Sequence, residues 1–302
     1  MLKYCLKRAV LAIVTILVII AITFFSMNAI PGGPFDSEKA PSEEIKEVLM
    51  ERYNLDKPLP EQFIIYVKNL LHGDFGVSIK TGREISTIIF DSFKVTLTIG
   101  CYAIVVAIVF GLLFGIIAAK YQNRWPDRII VFFSSLLVSV PNFVIASILI
   151  LVFCLQLKWV SVWSPDNTSY VLPVISLALF PMANIIRYTK TSMIEAMNQN
   201  YVRTAKAKGI SEWEILFKHC FRNAAIPVVT YVGPMIAGIL TGSVVVETVF
   251  TIGGIGSQFV FAINNRDYSL ILGTTIFMAV VIILVTFISD ILYKLIDPRI
   301  KY

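Results

Sequence analysis

The residues between Gly73 and Thr81 offer the first candidate chemistry, which is phosphate binding. Gly73, Lys80 and Thr81 are residue types of a phosphate-binding loop, in which backbone N–H groups and a lysine hold the phosphates of a nucleotide. That motif requires Gly-Lys directly after four intervening residues, but Ser78 and Ile79 occupy those two positions. The sequence therefore does not predict a nucleotide site in this segment.

Side chains that could hold a metal ion or act as a nucleophile are also scarce. The chain has two histidines, His72 and His219, and neither belongs to a cluster with the spacing of a metal site. No serine or cysteine is paired with a base in a pattern typical of nucleophilic catalysis. We therefore predict no catalytic, metal-binding or cofactor-binding residues, and no enzyme activity in this chain.

The stretch YVRTAKAKGISEWEILFKHCFRNAAIP, residues 201–227, imitates a DNA-binding motif. Ala205, Gly209 and Ile215 have the spacing of the small residue, the turn glycine and the apolar residue of a helix-turn-helix. The pattern predicts two helices that meet at a tight turn. Whether such a turn could reach DNA depends on the elements that hold it.

The composition places these residues in a membrane protein. Hydrophobic residues make up 57% of the chain, charged residues only 15%, and the mean hydropathy is +0.77. A helix that crosses a bilayer needs roughly 20 apolar residues. We predict an all-α protein with six spans, at 9–30, 95–119, 129–157, 171–186, 227–250 and 268–293. The fourth is the shortest and contains Pro173 and Pro181.

The first apolar run is predicted to be a retained helix. MLKYCLKR followed by an apolar run from Ala9 to Ile30 has the charge pattern of a secretory signal. The run is longer than the usual apolar region of a signal, and IPGGPF follows it where a small-residue cleavage site would be needed.

The distribution of Lys and Arg predicts that both termini are cytoplasmic. With the amino terminus inside, the inner segments carry 16 of the 26 basic residues, whereas the two short outer loops carry one each, Lys158 and Arg266. Short cytoplasmic segments are enriched in Lys and Arg. The net charge of +6 is therefore explained by membrane insertion and does not indicate nucleic-acid binding.

A long outer segment, residues 31–93, has 11 acidic and 7 basic residues. PSEEIKEVLMERYNL, with Ser42 as a cap, and PEQFIIYVKNLL each predict an amphipathic helix, and HGDFGVSIKTG predicts a loop. Two interpretations stay open. The segment is either a structural cap over the spans or a docking surface for an external partner.

The helix-turn-helix pattern lies in the longest inner loop, residues 187–226. Residues 187–207 are predicted to continue the fourth span as one helix, which Gly209 ends by adopting a left-handed conformation. Ser211 and Glu214 form a capping box for the next helix. Because both ends of this loop are tethered to the membrane, it lacks the free approach to the major groove that DNA reading requires.

The loop resembles that of the permease subunits of binding-protein-dependent ABC importers, which carries Glu-Ala-Ala, three residues and Gly. Gly209 takes the place of the glycine, and Arg203-Thr204-Ala205 that of Glu-Ala-Ala, so only Ala205 and Gly209 match strictly. YVRTAKAKG followed by ISEW looks like the version found in peptide permeases. The departure leaves open any role assigned to the glutamate of the loop.

The resemblance extends over the whole chain. The stretches PGGPF, HGDFGVS, SMIEAMNQNYVRTAKAKG, YVGPMIAGILTGSVVVETVF, NRDYSL and DPRIKY, in this order, resemble the B-type permeases of oligopeptide importers. Gly253 stands where related permeases often have proline.

This resemblance implies a type I ABC importer permease fold, with a first span and cytoplasmic terminus (1–30), an extracellular segment (31–93) and a five-span core (94–302). It implies import of oligopeptides through the bacterial inner membrane. Small residues would let the loop enter a cleft on a cytosolic ATPase, and the implied coupling residues are Arg203, Thr204, Ala205, Lys206, Ala207, Lys208, Gly209, Ile210, Ser211 and Glu212.

The implied partners are a second homologous permease, two cytosolic ATPase subunits that hold ATP and Mg, an external or periplasmic peptide-binding protein, the peptide substrate and membrane lipid, but no nucleic acid. An energy source outside the chain agrees with the absence of charges from the middle of the spans, because Glu247 and Asp290 lie only near their ends.

Several alternatives share these features. Importers of dipeptides, glutathione or nickel would have the same architecture, and a self-sufficient secondary transporter or channel is a different class. Substrate contacts are not assigned by the sequence. Glycine and proline within the spans favour kinks or close helix contacts, with ordinary packing as the alternative, at Pro141, Gly233, Pro234, Gly238 and Gly242.

Overall fold

The computed structural model describes residues 2–29, 33–35, 43–164 and 168–296. Its regular elements are helices, which confirms the all-α class. They are α1 (Leu2–Ala29), α2 (Glu43–Arg52), α3 (Leu59–Leu71), α4 (Ile85–Lys120), α5 (Trp125–Ser139), α6 (Asn142–Leu149), α7 (Val171–Met197), α8 (Asn200–Ala207), α9 (Glu212–Glu214), α10 (Phe221–Leu240), α11 (Val244–Val249), α12 (Ile255–Asn264) and α13 (Tyr268–Ile296). Segments of π-helix follow α6 at Ile150–Gln156 and α9 at Ile215–Cys220. The proposed cap Ser42 lies outside the described residues.

Five segments of the described chain are long and apolar enough to cross a bilayer, at Leu6–Ala29, Ile85–Lys120, Val171–Met197, Glu212–Val249 and Tyr268–Ile291. A sixth candidate, the predicted span 129–157, is a pair of helices bent by 106°. The bend lies between Ser139, where α5 ends, and Pro141, which precedes α6. Proline lacks the N–H that a continuous helix needs, so of the alternatives that the sequence left open at Pro141, the structure shows the kink.

The predicted continuous helix over 187–207 is wrong. Helix α7 ends at Met197, and Gln199 has an extended backbone before α8 begins at Asn200. The N–H of Gln199 bonds to the carbonyl of Ala196 at 3.2 Å, which closes the last turn of α7. The change of direction turns Val202 and Ala205 into a core of the chain, and this burial outweighs continuation of the helix.

The chain contains two compact units, Met1–Val95 with Gly253–Ile283 and Thr96–Ile252 with Leu284–Tyr302. In the first unit, α3 packs on the ends of α1 and α13. Phe24 and Met27 of α1 form a buried cluster with Tyr268 and Leu272 of α13, against which Phe63 and Tyr66 of α3 also pack. Burial raises the pKa of the Tyr66 phenol. Helix α3 of the predicted outer segment is therefore part of a core of this unit, and the two interpretations of the segment stay predictions.

A buried carboxylate, Asp267, fixes the loop before α4. Its Oδ2 accepts a hydrogen bond from Ser78 Oγ at 2.5 Å, and its Oδ1 accepts from the N–H of Ile79 at 3.2 Å. The same Oδ1 accepts from the N–H of Leu270 at the start of α13. Two of the stretches that carry the family resemblance, HGDFGVS and NRDYSL, thus meet through Ser78 and Asp267.

In the second unit, α7 packs against α5, α6 and α10, and it approaches α4 closely at two glycines. A Cβ on Gly115 would lie 2.5 Å from the Cβ of Thr189, and a Cβ on Gly111 would lie 2.7 Å from that of Ile185. Both distances are shorter than non-bonded Cβ contacts in proteins, so neither position accommodates a side chain unless the helices shift. Small residues spaced by four let helix backbones approach in membranes, so these glycines set the α4–α7 contact.

Candidate functional site

The turn between α8 and α9 ends one helix and starts the next, as the sequence predicts. Gly209 has a φ of +75°. The N–H of Gly209 donates to the carbonyl of Lys206 at 3.0 Å, and the N–H of Ile210 donates to the carbonyl of Ala205 at 3.3 Å. These two bonds and the left-handed glycine make a Schellman motif. The predicted role of Gly209 in ending the helix is confirmed.

Ser211 caps α9, because its Oγ accepts a hydrogen bond from the N–H of Glu214 at 3.3 Å. This confirms the Ser211 half of the predicted capping box. The Glu214 carboxylate lies 3.2 Å from Nζ of Lys218, one helical turn later. Both side chains are largely exposed, so this pair contributes little beyond the local helix.

The turn rests on a hydrophobic core of its own unit. Val202 and Ala205 from α8 are buried with Ile215, Leu216 and Cys220 from the π-helical segment. The same cluster includes Ile116 and Ala119 of α4, Met193 and Ala196 of α7, and Ala224 of α10. Because five segments contribute to it, the position of the turn is coupled to the helices beneath it.

The expectation that Ala205 contacts a partner through its small side chain is wrong. Only 6% of Ala205 is exposed, and its methyl group faces the core of the same chain. Its small size lets α8 lie close to the π-helical segment. The available surface comes from other predicted residues, because Ile210 is half-buried and the rest are exposed, namely Arg203, Thr204, Lys206, Ala207, Lys208, Gly209, Ser211 and Glu212.

The exposed surface around the turn is cationic on one side and aromatic on the other. Arg203, Lys206 and Lys208 lie within six residues of one another. Beyond the turn, Trp213 and Phe217 stack with ring centroids 5.9 Å apart and an angle of 15° between their planes. More than half of each ring residue is exposed.

Sequence reasoning missed this aromatic pair and its partner. Nζ of Lys120, at the end of α4, lies 3.5 Å from the centroid of the Trp213 ring, a cation–π contact. The signal available in the sequence was the spacing of Trp213 and Phe217, which places them on one face of a helix. Their pairing with Lys120 required the fold, because 93 positions separate Lys120 from Trp213.

A buried ion pair supports the helix that leads into the site. Nζ of Lys190 on α7 lies 2.6 Å from Oδ1 of Asp127, and only 3% of Asp127 is exposed. Oδ2 of the same carboxylate accepts a hydrogen bond from the N–H of Asn123 at 2.9 Å. Sequence analysis did not single out this pair, which fixes the start of α5 against α7.

No group of three or more His, Cys, Asp or Glu side chains within the described residues could hold a metal ion. The arrangement around Gly209 also lacks a nucleophile paired with a base. What the geometry offers is a capped turn, packed on a buried core, with a charged and aromatic surface that suits contact with another protein.

Family models match nearly the whole chain. The model described as "Binding-protein-dependent transport system inner membrane component" matches residues 111–302. A second, described as "Binding-prot-dependent transport system membrane comp, N-term", matches residues 1–100.

Curated relatives are similar over their full length. The dipeptide transport system permease protein DppB of Bacillus subtilis is 43% identical over 304 residues, covering 100% of this chain and 98% of the relative. The oligopeptide transport system permease protein OppB of Haemophilus influenzae is 43% identical over 307 residues, covering 100% of both. OppB of Salmonella typhimurium is 40% identical, also over 100% of both.

Solved structures share the fold. The inward-facing MetNI methionine ABC transporter matches with a TM-score of 0.57 at 14% identity, over 70% of this chain and 97% of that chain. An amino acid ABC transporter with histidines matches with a TM-score of 0.54 at 15% identity, over 71% and 95% of the two chains. The chain therefore belongs to the binding-protein-dependent transport system inner membrane components, the permease subunits of ABC importers, and is not itself the ATPase.

Proposed function

We propose that this chain is one permease subunit of an ATP-driven importer that translocates short peptides delivered by an external binding protein. The observation that carries the proposal is the 43% identity, over the full chain, both to a dipeptide permease and to an oligopeptide permease. Oligopeptides are the first candidate substrates. Dipeptides are the second candidate, because DppB of Bacillus subtilis is as similar as OppB of Haemophilus influenzae.

In the proposed complex, a second homologous permease completes the translocation path. Two cytosolic ATPase subunits bind ATP and Mg, and a binding protein delivers peptide from outside. Both termini of this chain are cytoplasmic in the bacterial inner membrane, in accordance with the bias of Lys and Arg toward the inner segments.

The proposed coupling element is residues 203–212, from Arg203 to Glu212. Its packing supports this role, because the Schellman motif and the buried core attach the turn to the helices beneath it. Its exposed cations and the nearby stack of Trp213 and Phe217 provide contacts for an ATPase surface. Aromatic and arginine side chains are the residues most enriched in protein interfaces.

The test is reconstitution of the complex in proteoliposomes with labelled peptides of two, three and five residues. We expect uptake that requires ATP, the binding protein and both permeases. Uptake of nickel or glutathione in place of peptide would contradict the substrate class. Uptake by this chain alone would identify a self-sufficient transporter or channel instead.

A further inference from the structure

Helix α7 carries a polar stripe that begins in the predicted span 171–186 and continues to the end of the longer candidate span of the structure, Val171–Met197. Asn184, Arg187, Tyr188, Thr191 and Glu195 recur at intervals of three or four residues, so they lie on one face of the helix. All of them except the half-buried Asn184 are exposed. The rest of the helix surface is buried and mostly apolar, with Ile185, Ile186 and Met193 among its buried residues, so the helix is amphipathic inside a membrane protein.

The stripe faces a cleft next to α10. A cavity of about 420 Å³ is lined by all five residues of the stripe and by Pro227 of α10. The rings of Tyr188 and Tyr231 pack with centroids 5.2 Å apart. A second cavity of about 280 Å³ shares Glu195 and Pro227 and continues toward Tyr201. The two cavities form one polar cleft.

A charged side chain exposed to lipid is costly, so such a side chain in a span faces water or protein. Arg187 and Glu195 both line the cleft, and among the ion pairs of the described residues none includes either of them. Their charges are therefore available to a ligand in the cleft.

We propose that this cleft contacts peptide in the translocation path, with Arg187 binding the carboxylate terminus and Glu195 the amino terminus. The inference rests on the proposed function. The two residues are eight positions apart, which is about 12 Å along a helix. An extended peptide of about three or four residues has that length, and a guanidinium group matches a carboxylate with two parallel hydrogen bonds.

This arrangement explains how a path could accept many peptides. The two termini are the charged groups that all unmodified peptides share, whereas their side chains differ. Between Arg187 and Glu195 the cleft presents the Tyr188 ring and the small polar side chain of Thr191. Neither selects for the charge of a peptide side chain, so recognition depends on the termini.

The test uses the complete complex in proteoliposomes, with the binding protein saturated by each peptide. The variants are Arg187→Gln and Glu195→Gln. The matched controls are Arg128→Gln on α5 and Glu47→Gln on α2, which remove exposed charges that do not line the cleft. The substrates are a tripeptide, its carboxy-terminal amide and its amino-terminal acetyl derivative. Each derivative is used in the uptake assay only if the binding protein binds it.

Arg187→Gln should lower uptake of the free tripeptide on the order of tenfold, as expected for a lost charge-assisted hydrogen bond, and should leave uptake of the amide unchanged. Glu195→Gln should lower uptake of the free tripeptide and spare the acetyl derivative. A second readout is the thiol of Thr191→Cys, which a water-soluble maleimide should label in the complex and which peptide in transit should protect.

Each contrary outcome identifies what is wrong. If both variants carry the free and the blocked peptides at wild-type rates, the inference is overturned and the proposed function stands. A Thr191→Cys thiol that stays unlabelled in every nucleotide state would make the stripe an interface with the second permease, which also overturns the inference. If the wild-type complex imports no peptide, the proposed function and the inference both fail.

Discussion

Gly209 determines the geometry of the turn that we propose as the coupling element. Its φ of +75° lies in the left-handed region, and no heavy atom would lie within 4 Å of an added Cβ. Space is therefore available there, and only the backbone conformation requires glycine. Ala205, four positions earlier, is constrained by the lack of space in the core instead.

Replacement of Gly209 by valine should strain the turn by about 1 to 2 kcal/mol, the cost of a left-handed β-branched residue. We expect Gly209→Val to insert and to accept the external binding protein, but to lose ATP-driven uptake. The measurement is peptide uptake and ATPase activity at equal complex concentration. Gly82→Val is the matched control, because Gly82 has a φ of +67° and equally open surroundings in the outer segment. Wild-type uptake by Gly209→Val would remove the coupling assignment.

Substitutions at Ala205 and Ala207 distinguish an effect on packing from an effect on partner contact, because Ala205 is buried and Ala207 is exposed on the same helix. Ala205→Leu should overpack the core and lower stability by about 1 to 3 kcal/mol. Ala207→Leu should leave the thermal unfolding midpoint unchanged and weaken the contact with the ATPase. The measurements are unfolding in detergent and cross-linking from Lys208→Cys to the ATPase. Equal unfolding midpoints for the two variants would contradict the burial of Ala205.

Among the helices of the second unit, the close contact between α4 and α7 determines where α7 lies. Helix α7 carries the polar stripe on one face, the half-buried Lys190 that pairs with the buried Asp127, and residues of the core beneath the turn. Gly111 and Gly115 let α4 approach it closely. A shift of α7 would therefore move the stripe and the core of the coupling turn together.

Gly115→Ala tests this contact. Alanine favours a helix over glycine by up to about 1 kcal/mol, but its Cβ would lie 2.5 Å from that of Thr189, so we expect a lower unfolding midpoint in detergent. Gly238→Ala on α10 is the matched control, because nothing lies within 4 Å of its added Cβ, and its midpoint should be unchanged or higher. A stabilising effect of Gly115→Ala would show that the close approach is absent.

At the scale of the whole molecule, every proposed partner contact requires that the chain has the proposed orientation in the membrane. In a cysteine-free background, Lys158→Cys should react with an impermeant thiol reagent from outside the cell, and Lys208→Cys should react only after the membrane is opened. Both positions are exposed. Native Cys220 is a poor reporter because it is fully buried. The reverse labelling pattern would invert the topology.

Composition and short local motifs were sufficient to predict the class of the protein and the local chemistry of the turn. A run of apolar residues crosses a bilayer whatever its neighbours are, so composition indicated the spans, including the long α7 that appeared shortest in the sequence. The left-handed Gly209 and the Ser211 cap were predictable because their hydrogen bonds join residues at most five positions apart. The kink at Pro141 follows from the missing N–H of one residue.

Which small or charged residues contact each other could be found only from the packing of the folded chain. Ala205 and Ala207 are indistinguishable by type, and the break at Gln199 orients one inward and the other outward. Ser78 and Asp267 are 189 positions apart, Lys120 and Trp213 are 93 apart, and the glycines of α4 acquire a role only when α7 lies beside them. Local pattern contains no information on such pairs, because the energy of each contact depends on how distant segments pack.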